Sequence, residues 1–124
     1  MERLCPNIFV ENMNETIDFY KLLGFQLINS VPEDGDFVWV MMTNGAVSFM
    51  FQSFDSLGDD LPEIKRTNGS ALLFYVNVKN IREYFENIKD KVIVLKGLES
   101  TFYGATEFSI LDNNEYVLTF AEHE

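Results

Sequence analysis

The chain has 124 residues, one cysteine, one histidine and a formal net charge of −11 at pH 7. So acidic a surface repels phosphate backbones, which argues against nucleic-acid binding and favours cationic ligands, although acidity also serves solubility alone. There is no apolar run of the roughly 20 residues that a membrane span needs, no visible secretory signal and no internal disulfide. We therefore expect a cytoplasmic protein that has no membrane partner.

The first half of the chain reads as a strand, a helix and three further strands. We place these five elements at residues 4–10, 13–23, 25–31, 37–42 and 46–51. Gly24 suits the left-handed position that ends a helix, and Asn44-Gly45 is the strongest short-range hairpin signal in the sequence. The next segment, 53–69, is polar and rich in turn residues, so we expect a mobile connector between the halves.

The second half repeats this order of elements. Its strand, helix and three strands are expected at residues 70–78, 81–89, 92–95, 102–111 and 116–122. The sequence therefore predicts an α+β fold of two βαβββ modules in tandem. It would be a single domain over residues 1–124, with module one at 1–52, the linker at 53–69 and module two at 70–124. Each helix covers one face of its sheet, so the other face should carry the function.

The two halves also share a motif at the start of each helix. Asn12-Met13-Asn14-Glu15 and Asn80-Ile81-Arg82-Glu83 both follow a short β-type run. The Asn-x-x-Glu spacing is typical of a capping box, in which the Asn side chain accepts a hydrogen bond from a free helix N–H and the Glu reaches back. We therefore predict that both helices begin with this cap.

Segments near both ends of the chain carry a family resemblance. The first, residues 17–25, contains the pattern Phe-Tyr-x-x-Leu-Gly-Phe, and the second, residues 103–114, runs from Tyr-Gly to Asp-Asn-Asn. Together they resemble the opening and closing signatures of the glyoxalase, bleomycin-resistance and dioxygenase group, the vicinal oxygen chelate superfamily. Asn113 and Glu115 stand where the closing turn of that family usually has Pro and Gly. The resemblance covers nearly the whole chain and implies the tandem βαβββ fold.

Metal-dependent members of that superfamily hold a divalent ion with His and Glu side chains. Carried over by position, their ligands fall at Cys5, at Ala71 or Leu73, and at Thr119. None of these is a His, Asp or Glu, whereas a catalytic metal site generally needs three well-placed donors. His123 is the penultimate residue, where disorder is the expectation. The sequence therefore predicts no metal, no cofactor and no catalytic residues.

Glu107 is the charged residue that strand alternation places on the uncovered face of module two. Phe108 and Ile110 would face the helix, which leaves Glu107 and Ser109 on the other side. Glu107 could act as a general base, as a counter-charge for a cationic ligand, or simply be solvated. No His, Lys or second acid is expected near enough to tune its pKa.

Aromatic residues offer a second kind of site in module one. Trp39 and Met41 share one face of the third strand with Phe37, and Phe49 and Phe51 share one face of the fourth. Such a surface holds a flat or cationic ligand by stacking and cation–π contact, although these side chains could instead fill the core.

The resemblance implies a small-molecule-binding protein of the bleomycin-resistance type. It would sequester a cationic or planar, aromatic ligand without metal, in a groove at the interface of a homodimer. The ligand-binding residues would be Asn7, Phe9, Trp39, Met41, Phe49, Phe51, Tyr103 and Glu107. One alternative is a metal-dependent glyoxalase-like lyase, isomerase or dioxygenase with shifted ligands. Another is a regulatory domain that binds a peptide or a partner protein and whose segment 53–69 orders only with that partner.

Overall fold

Each half of the chain folds as a four-stranded sheet with a helix between its first two strands. The computed structural model describes residues 1–124. Its elements are β1 Asn7–Val10, α1 Met13–Leu22, β2 Gln26–Val31, β3 Trp39–Asn44, β4 Val47–Ser53, α2 Phe54–Leu57, β5 Leu73–Asn77, α3 Ile81–Ile88, β6 Ile93–Ser100, β7 Ala105–Leu111 and β8 Val117–His123. The chain divides into two compact units, Met1–Asn68 (unit 1) and Gly69–Glu124 (unit 2). The predicted α+β fold with a repeated βαβββ order is confirmed.

In unit 1 the strands lie in the order β1-β4-β3-β2, with β1 parallel to β4 and the other neighbours antiparallel. Helix α1 begins as predicted, because the Asn12 Oδ1 accepts a hydrogen bond of 3.0 Å from the Glu15 N–H. It ends before Gly24, whose φ of 101° is the left-handed backbone that glycine tolerates. The fully buried Tyr20 ring of this helix packs against the sheet.

The β3–β4 hairpin fixes which side chains of unit 1 face the helix. The hairpin itself was predicted, but its two turn residues are Gly45 and Ala46, because Asn44 pairs with Val47 across the turn. Gly45 has a φ of 59°, which suits the first position of a two-residue hairpin turn. Odd-numbered residues of β3 therefore stand opposite even-numbered residues of β4.

This register shows that the expected placement of Phe49 and Phe51 on the uncovered face is wrong. Trp39 pairs with Gln52, whereas Phe49 pairs with Met42 on the opposite face of the sheet. Phe49 and Phe51 are buried beneath α1, with ring centroids 5.7 and 4.7 Å from that of Tyr20. They belong to the core of unit 1 and not to a ligand-accessible surface.

In unit 2 the strands lie in the order β5-β8-β7-β6, with β5 parallel to β8. Helix α3 covers one face of this sheet, where Phe85 meets Phe108 and Tyr84 meets Phe120 at centroid distances of 4.9 and 5.2 Å. We call the other face of this sheet the open face of unit 2. Strand alternation places Glu107 on it, as the sequence predicts.

The predicted cap of α3 is wrong. Asn80 adopts a left-handed conformation with φ 55° and ψ 49°, and its side chain makes no capping bond. Instead, the Glu122 carboxylate of β8 accepts hydrogen bonds from the N–H groups of Asn80 and Ile81, at 3.1 and 3.0 Å. A carboxylate at this position is favoured by the helix dipole as well as by the two orphan donors.

Replacing Glu122 with Ala should lower the thermal midpoint of unfolding by a few degrees, because it leaves two helix donors without this partner. The hydrogen bonds from the Ile81 and Asn80 N–H groups lower the pKa of Glu122 in the folded chain below its ordinary value. This stabilisation is therefore complete above the pKa of the unfolded state and is lost as the pH falls through the folded pKa. Thermal unfolding at pH 7 and at pH 3 checks this, with Glu63→Ala as the control, because Glu63 is exposed and lies outside the helices and strands. An equal loss at both pH values would contradict the role of the charge.

Two features of the structure were not predicted from the sequence. The connector contains the short helix α2, and the Arg66 guanidinium donates to the carbonyl groups of Gly58, Asp60, Leu61 and Ile64. Strand β6 extends to Ser100, well beyond the expected 92–95. Register shifts next to Lys96 break the alternation of apolar and polar residues from which the end of the strand was predicted.

No helix is both long enough and apolar enough to cross a membrane.

Candidate functional site

The open face of unit 2 contains a cavity of about 290 Å³. Strands β5, β7 and β8 form its floor, and β6 and the β6–β7 turn form its rim. Its lining combines apolar, aromatic and charged side chains: Leu73, Tyr75, Lys96, Glu99, Tyr103, Glu107, Phe108, Ser109 and Thr119. A concave site with a few converging polar groups is the usual form of a small-molecule site.

Glu107 lines this cavity and is only 9 % exposed. Its Oε2 accepts a hydrogen bond from the Tyr75 hydroxyl and a second, of 2.6 Å, from the Tyr103 hydroxyl. Tyr75 comes from β5, and Tyr103 lies four residues before Glu107 in the turn that leads into β7. Two phenol groups therefore hold one buried carboxylate in a fixed orientation.

His123 belongs to the same cluster, which corrects two expectations from the sequence. The expected disorder of this residue is wrong, because β8 runs to His123 and pairs it with Ala105. Its Nε2 lies 3.1 Å from the Tyr75 hydroxyl oxygen. The expectation that no His or Lys lies near enough to tune the pKa of Glu107 is also wrong, since the charges of His123 and Lys96 both lower that pKa. We call Tyr75, Tyr103, Glu107 and His123 the carboxylate–tyrosine cluster.

The electrostatics of this cluster keep Glu107 ionised. Burial by itself raises the pKa of the Glu107 carboxyl, but hydrogen bonds from Tyr103 and Tyr75 and the charges of His123 and Lys96 outweigh it, so the pKa lies below its usual range. The hydrogen bond to Glu107 and burial raise the pKa of Tyr75, and the same causes raise that of Tyr103. A general base works best when its pKa is near the operating pH. The lowered pKa of Glu107 therefore suits the role of a permanent counter-charge for a cation better than the role of a general base.

The rest of the cavity wall is electrically balanced. Ser109 and Thr119 are buried beside Glu107 and share a hydrogen bond of 2.8 Å between their hydroxyl groups. At the rim, the Lys96 ammonium lies 3.4 Å from the Glu99 carboxylate. The nearby Lys96 charge favours the ionised form of Glu107, but no ion pair joins the two side chains, so the carboxylate remains available to a ligand.

The side chains at the family's metal-ligand positions do not fit a metal ion. The Cys5 Sγ lies 3.6 Å from the Ser48 carbonyl oxygen, as expected of a weak thiol donor. Ala71 and Leu73 carry no donor atom, and the Thr119 hydroxyl is hydrogen bonded to Ser109. Nowhere in the chain do three or more His, Cys, Asp or Glu side chains come together as a metal site would require.

Four of the six predicted ligand-binding residues of unit 1 share the face of its sheet away from α1. Asn7, Phe9, Trp39 and Met41 lie on this face, because Asn7 and Met41 both pair with Met50, and Phe9 and Trp39 both pair with Gln52. The Asn7 amide donates a 3.0 Å hydrogen bond to the Gln52 side chain. Their role in binding stays a prediction.

Sequence reasoning missed Tyr75 and His123 as members of the site. Tyr75 lies between Phe74 and Val76 in β5, so the alternation of side chains along the strand places it on the same face as Leu73. His123 has the same parity in β8 as Thr119. Both signals were present, but which strands are neighbours in the sheet cannot be seen in one sequence.

Comparisons with known proteins agree with this fold. Residues 4–120 match the family model described as the Glyoxalase/Bleomycin resistance protein/Dioxygenase superfamily, so the chain belongs to that superfamily. No curated protein sequence matches it significantly.

Several solved structures are similar to this chain over nearly its full length. TioX from Micromonospora sp. ML1 is 15 % identical, with full coverage of both chains and a TM-score of 0.78. A glyoxalase/bleomycin resistance protein/dioxygenase family enzyme from Burkholderia phytofirmans PsJN is 19 % identical, with 97 % of each chain covered and a TM-score of 0.79. A bleomycin-binding protein in complex with bleomycin is 19 % identical, with full coverage of both chains and a TM-score of 0.69. At this level of identity, these likenesses show the fold alone.

Proposed function

We propose that this protein binds a small cationic, aromatic molecule at the open face of unit 2 and does not transform it. The observation that carries the proposal is the carboxylate–tyrosine cluster, in which a buried and ionised Glu107 accepts from two tyrosines and lines a cavity of about 290 Å³. A buried charge is costly unless it is paired, and a cationic ligand would supply the missing partner.

The charges around the cavity support a cation. The lowered pKa of Glu107 keeps its carboxylate negative at neutral pH, and Lys96 is already matched by Glu99. The net charge of −11 adds a long-range attraction that raises the local concentration of cations.

Exposed aromatic and apolar side chains beside the carboxylate support an aromatic or apolar body for the ligand. Tyr75 and Tyr103 are 45 % and 49 % exposed although both hydroxyl groups are bonded to Glu107, so their rings remain accessible. Leu73 also lies exposed in the cavity lining. Ring faces attract a nearby cation, and apolar contact adds burial.

Membership of the superfamily extends the proposal. One solved structure of this fold is a bleomycin-binding protein, and sequestration of a drug or metabolite requires only burial and opposite charge. On this basis we propose a cytoplasmic homodimer of the antibiotic-resistance type, in which Asn7, Phe9, Trp39 and Met41 of unit 1 also contribute to ligand binding.

Isothermal titration calorimetry of the full chain with 2-phenylethylammonium chloride tests the proposal. The neutral analogue 2-phenylethanol, which has the same ring and spacer, is the matched control, and bleomycin is a second, larger probe. We expect saturable binding of the ammonium compound, weaker by about tenfold or more for the alcohol, since only the cation pairs with Glu107. Equal binding of the two small probes would contradict a counter-charge role.

A native mass spectrum tests the metal-dependent alternative and the dimer together. The protein is incubated with nickel, zinc and manganese salts and then desalted. We expect the mass of two chains without retained metal. One tightly held ion per chain would instead favour a glyoxalase-like lyase, isomerase or dioxygenase.

A further inference from the structure

The two tyrosines bond to the same oxygen of Glu107. Both hydroxyl groups donate to Oε2, so neither of them occupies Oε1. A carboxylate oxygen offers about two lone-pair sites, and those of Oε2 are therefore filled. The carboxylate faces the cavity with one oxygen saturated and the other open to a ligand.

We infer that this site selects a primary ammonium group over a guanidinium or amidinium group, an inference that rests on the proposed function. A guanidinium binds a carboxylate best as a fork, with two parallel N–H donors directed to the two oxygens. Because Oε2 already accepts two hydrogen bonds, only Oε1 is free to accept from the two N–H donors of the guanidinium. A guanidinium would then bind through one oxygen or would have to displace a tyrosine hydroxyl.

An ammonium group does not need the second oxygen. Its three N–H donors are arranged tetrahedrally and can rotate, so one can point to Oε1 while the others reach acceptors outside the carboxylate plane. A phenolic oxygen that donates its proton can still accept a hydrogen bond. The Tyr103 oxygen, beside Glu107 in the cavity lining, is an acceptor of this kind.

His123 limits which tyrosine can serve as that acceptor. The single proton of the Tyr75 hydroxyl goes to Glu107, so the contact of 3.1 Å with His123 Nε2 requires the histidine to donate. The Tyr75 oxygen is thus already an acceptor within the chain. Thr101 and Tyr75 lie near the Tyr103 oxygen, but their hydroxyl protons go to the Ala105 carbonyl and to Glu107, so this oxygen can still accept. The ligand ammonium is therefore held between the Oε1 of Glu107 and Tyr103, and Tyr103 becomes a specificity-determining residue.

Calorimetry with 2-phenylethylammonium and 2-phenylethylguanidinium tests the selectivity, because the two probes share ring, spacer and charge. We expect the ammonium compound to bind about tenfold more tightly. If both cations bind equally but more tightly than 2-phenylethanol, the selectivity is wrong and the proposed function stands. If neither cation binds more tightly than the alcohol, both are wrong.

The variant Tyr103→Phe tests the cause of the selectivity. Removing this hydroxyl returns one acceptor site to Oε2 and removes an acceptor for the ammonium. The preference for ammonium should therefore fall by about threefold or more, through tighter guanidinium binding and weaker ammonium binding. Tyr116→Phe is the control, because Tyr116 lies outside the cavity lining and packs on Phe74. A preference that is unchanged in Tyr103→Phe would overturn the inference.

Discussion

Replacing Glu107 with Gln should weaken the binding of 2-phenylethylammonium by about 10- to 100-fold. The amide has nearly the same shape as the carboxylate, and its oxygen can still accept from Tyr75 and Tyr103, so the cluster should keep its geometry. What the variant loses is the negative charge that the cation neutralises. Calorimetry at pH 7 measures the difference, with circular dichroism to verify the fold.

The matched control for this experiment is Glu83→Gln. Glu83 is an exposed residue of α3, so the variant makes the same change in net charge without touching the cavity. It should change the affinity by less than about twofold, because exposed charges are screened at ordinary ionic strength. Equal losses in the two variants would show that the net charge of the protein attracts the ligand and that Glu107 has no specific role.

Replacing Phe51 with Ala should destabilise the protein by about 3–5 kcal/mol, the usual cost of removing a buried phenylalanine. Phe51 is 0 % exposed, and its ring packs at 4.7 Å from that of Tyr20 beneath α1. Part of the cost is the lost burial, and part is the cavity left between helix and sheet. Urea unfolding of the wild type and the variant measures the change in the free energy of unfolding.

Phe102→Ala is the control for the core variant, because Phe102 is 99 % exposed in the β6–β7 turn. It should change the free energy of unfolding by less than about 0.5 kcal/mol. If Phe51→Ala kept wild-type stability but lost ligand binding, Phe51 would lie on the ligand face, and the register of the β3–β4 hairpin would be wrong.

The order of elements could be predicted because local signals were strong and agreed with one another. Asn12 and Gly24 mark the two ends of α1, and both adopt the conformations that their chemistry favours. The alternation of Glu107 with Phe108 in β7 placed the acidic residue on the open face before the sheet was known. Local chemistry therefore determined where helices begin and end and how side chains alternate within one strand.

Relations between strands could not be predicted in the same way. The expected strands 37–42 and 46–51 leave a turn of three residues, whereas the observed turn has two, and this difference reverses the parity of β4 relative to β3. It alone moves Phe49 and Phe51 from the predicted site to the core. The cap of α3 comes from Glu122, which is distant in sequence from Asn80. A pattern of neighbouring residues cannot predict a contact of this kind. Tyr75 and Glu107 likewise meet only because β8 lies between β5 and β7.

The proposed function places a small cation at the carboxylate–tyrosine cluster. An aromatic ¹H–¹³C NMR spectrum of the full chain, titrated with 2-phenylethylammonium, tests it most directly. We expect saturable shifts that are largest for the rings of Tyr75, Tyr103 and His123, which surround Glu107. Shifts that are largest at Trp39 and Phe9, or an absence of saturable shifts, would contradict it.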